Sequence, residues 1–133
     1  MSTCSNMMEA EMQRPVFFNL TQIQMPVGAV TSIVHRITGI VLAAGIPFFI
    51  RILDLSLQSP QSYARVAGLF DQAAYKLAAL VFIWALAHHL MAGVRHLLSD
   101  IDLGSRLPVA RRSAWLVNLG ALALALFAAW GLF

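Results

Sequence analysis

The sequence predicts an all-α membrane protein of three transmembrane helices, and three observations carry that expectation. Of its 133 residues 59% are hydrophobic and only 11% charged, and the mean hydropathy is +0.75. A soluble domain of this size needs more polar surface. The apolar residues fall into three runs, at about 30–53, 77–98 and 114–133, each close to the roughly 20 residues that carry a helix across a hydrocarbon core. The net charge of +3 comes from bases scattered along the chain, mostly at the ends of those runs. They read as topology signals and not as a phosphate-binding stripe, which argues against a nucleic-acid partner.

Residues 1–29 are expected to form a cytoplasmic N-terminal segment, and 30–133 a three-helix transmembrane domain. The segment before Arg14 holds Glu9 and Glu11 and no base, which fits neither a secretory signal nor a transit peptide. A bacterial inner (plasma) membrane is therefore expected. Cys4 is the single cysteine, so neither an internal disulfide nor a cysteine-ligated cluster is expected within the chain. In the first run the uninterrupted apolar part, 37–50, has 14 residues. A crossing helix must therefore reach back through His35 and Arg36, and Pro47 should kink it near its far end. The segment 54–71, containing Ser59 and Pro60, reads as a loop. In the third run Ala125 and Ala129 leave room for a neighbouring helix. Arg14, Arg95, Arg106, Arg111 and Arg112 fall on one side of the membrane, and Arg51, Arg65 and Lys76 on the other. That bias predicts an N-terminus inside and a C-terminus outside. Three helices leave much lateral surface, so the chain is expected to join a larger bundle with a partner subunit.

The second run carries the stretch AHHLMAGVRHLLSD. His89 and His96 lie seven residues apart, two helical turns, and face the same way. Gly93 lies between them and would let a flat group lie against the helix. His88 is rotated by about 100° from His89 and faces elsewhere, as a packing or hydrogen-bonding residue. Measured from Ser99, His89 is ten residues in, about 15 Å, which is mid-membrane. Ionisable groups at that depth are expensive and normally serve a function. Neutral imidazole is the commonest metal ligand.

In the first run Ser32, His35 and Arg36 stand at i, i+3 and i+4 and share a face. Antiparallel pairing sets this cluster against the inner half of the second helix, near Arg95 and His96. The result is an imidazole in mid-membrane with a cationic, hydrogen-bonding band inward of it. That layering suits haem, whose iron takes an axial imidazole and whose propionates take cations. It equally suits a quinone head group, whose carbonyls take a hydroxyl and a guanidinium as donors.

Two motifs settle the family these residues resemble. Arg14-Pro15-Val16, Leu20 and then Ser32-Ile33-Val34-His35-Arg36-Ile37-Thr38-Gly39 resemble the N-terminal signature of the succinate dehydrogenase cytochrome b subunit, a membrane anchor of respiratory complex II. His89 through Asp100 resembles its haem-ligand signature. The resemblance implies that a second small membrane-anchor subunit, an iron–sulfur subunit and a flavoprotein subunit are partners, with FAD and iron–sulfur clusters held by the other subunits. It implies electron passage from succinate to ubiquinone, with haem b shared between the two anchors. By motif, His89 would be the axial ligand of the haem iron from this chain. His35, Arg36 and Arg95 would approach the haem propionates, His96 would be a further haem-binding residue, and Ser32, Ile33 and Arg36 would line the quinone site. A haem-free structural anchor and a quinol:fumarate reductase anchor are the competing expectations. A histidine-box oxygenase is not supported, because four histidines over three spans are too few.

Overall fold

The computed structural model describes residues 25–133. Cys4, Arg14 through Val16 and Leu20 lie outside the described residues. Among the described residues four helices follow in order: α1 (Val27–Gln58), α2 (Pro60–Leu69), α3 (Ala73–Asp100) and α4 (Leu107–Leu132). α1, α3 and α4 are long and apolar enough to cross a membrane. Each is longer than the apolar run that announced it. The 32 residues of α1 extend about 48 Å at 1.5 Å per residue, beyond a hydrocarbon core of about 30 Å.

The segment expected as a loop is helical. α1 runs through Pro47 to Gln58, and α2 begins two residues later. Neighbouring chain and local adjustment let a membrane helix continue past proline even though one backbone bond is lost. Ser59 then breaks the helix by adopting an extended backbone, and its hydroxyl caps α2. Ser59 Oγ accepts from the Ser62 N–H at 3.1 Å, while Ser62 Oγ accepts from the Ser59 N–H at 2.9 Å. This reciprocal pair is a capping box, and Pro60 sits at the first helical position, where a missing N–H costs nothing.

α3 lies between α1 and α4, which touch one another less. Its far end closes with a Leu103 N–H bond to Leu98 O at 2.9 Å and places Asp102 at φ 60°, the left-handed stop commonly seen after a helix. The buried apolar residues are small. Ala114, Val117, Ala121 and Ala125 form a stripe on α4, and Ala85 and Ala92 are buried on α3. Lipid tails are as apolar as leucine, so helices in a membrane gain little by hiding large side chains from them. They associate through close backbone approach and interhelical hydrogen bonds. Large apolar residues such as Ile40, Leu90 and Leu126 accordingly point outward. At the end where α1 finishes, Phe82 of α3 lies against buried Gly45 and meets Phe49 edge-on, at 4.8 Å between ring centroids.

Candidate functional site

Three imidazoles meet where α1 crosses α3. The His35 ring stacks on His89 with centroids 4.1 Å apart and planes 12° from parallel. His96 approaches the same ring at 5.3 Å, tilted by 53°. His35 therefore fills the space over Gly93, whose added Cβ would stand 3.5 Å from His35 Nε2. The flat partner that Gly93 accommodates in this structure is His35.

The ring of His89 is held by its edge. Its Nδ1 lies 3.0 Å from the His35 backbone carbonyl, and because a carbonyl only accepts, Nδ1 carries the proton. Thr38 Oγ1 donates to the same carbonyl at 2.9 Å and lies 3.4 Å from His89 Nδ1. With Nδ1 protonated, a neutral imidazole keeps its lone pair on Nε2. Close approach of α1 makes this possible, because a Cβ on Gly39 would come within 2.9 Å of His89 Cε1. Thr38 and Gly39 follow His35 by three and four residues, so one face of α1 supplies the carbonyl, the hydroxyl and the clearance.

His88, one residue earlier, belongs to a different face. Its side chain is 2% exposed, and Nε2 donates to Asn118 Oδ1 of α4 at 3.0 Å. Asn118 Nδ2 donates to Thr31 Oγ1 of α1 at 3.0 Å, and that hydroxyl bonds the Val27 carbonyl at 2.9 Å. One polar chain thus crosses all three long helices. Among the described residues, His88 Nδ1 has no hydrogen-bond partner.

The remaining sequence candidates divide between these faces. Ser32 and His35 are half-buried, whereas Ile33 and Arg36 are exposed on α1 beside the imidazole cluster. Arg95 is not brought to that cluster. Seven residues from His88, it turns toward α4, where Nε donates to Ser113 Oγ at 3.1 Å and one terminal nitrogen to the Ala110 carbonyl at 3.3 Å. Among the described residues the one ion pair is Arg51–Asp54, so neither Arg36 nor Arg95 is neutralised by a carboxylate there.

Sequence reasoning passed over Asn118, Thr31 and Ser113, and gave Thr38 and Gly39 no part. Asn118 carried a usable signal. It is the one side-chain amide in an otherwise apolar run, and a polar group at membrane depth needs a partner.

The profile of the succinate dehydrogenase/fumarate reductase transmembrane subunit family matches residues 10–128. A protein of Coxiella burnetii named succinate dehydrogenase cytochrome b556 subunit is 35% identical over 106 residues, 79% of this chain and 85% of its own. One of the same name from Paracoccus denitrificans is 33% identical over 112 residues, 84% and 86% of the two chains. A mitochondrial cytochrome b560 subunit from Mus musculus is 28% identical over 122 residues, 90% and 69% of the two. Three apolar helices, a histidine cluster at their crossing and a profile match over nearly the whole length converge: the chain belongs to the family of succinate dehydrogenase and fumarate reductase transmembrane subunits.

Proposed function

We propose that the chain is the cytochrome b anchor of a bacterial inner-membrane succinate:ubiquinone oxidoreductase, in which it carries one axial ligand of haem b and part of the quinone site. The second anchor would supply the other ligand, and flavoprotein and iron–sulfur subunits would hold FAD and the clusters. The supporting observation is the state of His89. Its Nδ1–H is engaged by the His35 carbonyl, which fixes the tautomer and turns a lone pair on Nε2 toward ligation, as outer-shell partners of metal-bound histidines commonly do. Stacking on His35 uses the ring face, while ligation uses the ring edge, so the two are compatible. The half-buried setting of His89 fits the group as well.

Haem b with two imidazole ligands would supply one-electron transfer without oxygen activation. This chain's residues would hold and orient it: His89 at the iron, His35, His96 and Arg36 toward the propionates. Arg95 is left out of that set because its donors turn to α4. Arg36, with Ser32 one turn before it, would donate hydrogen bonds to a quinone carbonyl, with Ile33 against the ring. A guanidinium fixed near that oxygen stabilises negative charge developing there during reduction. The N-terminus would face the cytoplasm, following the bias of the arginines.

The test uses the purified complex. Arg36→Leu is expected to reduce succinate-driven ubiquinone reduction by about 100-fold, the scale of losing one preorganised donor to a developing oxyanion. Succinate oxidation by a soluble dye that accepts electrons upstream should stay at the parent rate. Equal loss of both activities removes Arg36 from the quinone site.

A further inference from the structure

We infer that Asn118 is a positioning residue: by joining His88 of α3 to Thr31 of α1, it locks the rotation of α3 that presents His89 to its site. The inference rests on the reading of His89 as haem ligand and extends it to a helix, α4, that lends no residue to the imidazole cluster. Consecutive residues of a helix differ by about 100°, so fixing His88 fixes His89. His88 Nε2–H gives to Asn118 Oδ1 at 3.0 Å, Asn118 Nδ2–H to Thr31 Oγ1 at 3.0 Å, and Thr31 Oγ1–H to the Val27 carbonyl at 2.9 Å. Thr31 Oγ1 also lies 3.3 Å from Asn118 Oδ1, so both polar atoms of the amide are in contact with that hydroxyl. Within this chain of bonds Asn118 is the member that reaches both other helices, and Thr31 is fully buried. Thr31 stands one turn before His35, whose carbonyl holds the His89 ring. The α3 segment is thereby pinned on two faces, at His88 through α4 and at His89 through α1. The buried alanines of α3 and α4 allow close approach without directional bonds of their own, so the polar bonds are what fix the rotation.

The test measures the ferric haem g-values and midpoint potential of the purified complex, which follow the orientation of the axial imidazole. Asn118→Leu and Thr31→Val are expected to retain haem with shifted g-values and potential. His88→Gln keeps a donor at the reach of Nε2 and should restore the parent values, whereas His88→Leu should show the shift. Parent values in Asn118→Leu, or in Thr31→Val if the first variant does not assemble, overturn the inference even where thermal stability falls. A His88→Gln complex as altered as His88→Leu overturns it too. His89→Leu is the separate control: retention of its low-spin signal defeats the ligand reading itself, whatever the Asn118 arm shows.

Discussion

The two neighbouring histidines of α3 occupy opposite kinds of environment although both sit at mid-helix. His88 is shut into the three-helix core and donates to a side-chain amide. His89 lies half-exposed at the rim of the α1–α3 crossing, held by a backbone carbonyl. A histidine whose imidazole N–H is spent within the core is glue between helices. One whose single N–H is spent on a carbonyl keeps the lone pair of its other nitrogen for a ligand. Adjacent positions on one helix can thus carry separate duties, because 100° of rotation sends them to different neighbours.

The largest expected effect breaks this comparison directly. His89→Leu should abolish the low-spin b-type band in a reduced-minus-oxidised spectrum of the complex. His88→Leu should retain that band and destabilise the complex by about 1 kcal/mol, the usual worth of an interhelical hydrogen bond in a membrane. Retention of the band in the first variant with loss in the second would reverse the assignment of the two histidines.

Next in size is a pair of glycines that the two helices contribute to the crossing. Gly93 on α3 faces His35 with ordinary contact distance to spare, while Gly39 on α1 faces the edge of the His89 ring without it. Gly39→Ala forces α1 and α3 apart or breaks the bond from His89 to the His35 carbonyl; overpacking of this kind costs about 1–3 kcal/mol. Haem content per complex is expected to fall in Gly39→Ala and to stay near the parent level in Gly93→Ala. Equal behaviour of the two would mean that His89 is not held where the α1 backbone places it.

Much of this was legible in the sequence, and the part that was not has a definite physical origin. Three spans are visible because crossing a membrane requires long apolar runs, and His89 and His96 share a face by helical period alone. The partner of each face is another matter. Periodicity says that His88 and His89 diverge, but it does not say that Asn118 waits on one side and the His35 carbonyl on the other. Backbone acceptors leave no mark in a sequence at all. Gly39 and Thr38 were within reach, since they continue the His35 face at i+3 and i+4. α2 was hidden because its ten residues are mostly exposed and too polar on average to stand out beside the long apolar runs, although Ser59, Pro60 and Ser62 spell a helix start. Arg95 is the instructive case. Family resemblance groups it with His96, its immediate neighbour, yet its spacing of seven from His88 sets it on the other face.

Arg95 also gives the smallest expected effect and the sharpest control on the two-face picture. Its Nε and one terminal nitrogen are engaged by Ser113 Oγ and the Ala110 carbonyl, both near the start of α4. The residue therefore ties α3 to α4 at the end of the bundle opposite Phe82. Arg95→Gln keeps polarity but loses the fork, and the partners it releases lie close enough to the helix terminus to find other donors. The expected cost is about 0.5–1 kcal/mol of stability, the lower part of the range for a typical hydrogen bond, read as a small fall in the thermal midpoint of the complex. Haem content and midpoint potential should remain at parent values, because no atom of this side chain bonds the imidazole cluster. A fall in haem content or a displaced potential in Arg95→Gln, with stability little changed, would return Arg95 to the propionates. It would also mean that α3 turns, in the assembled complex, by more than the separation between its two faces allows.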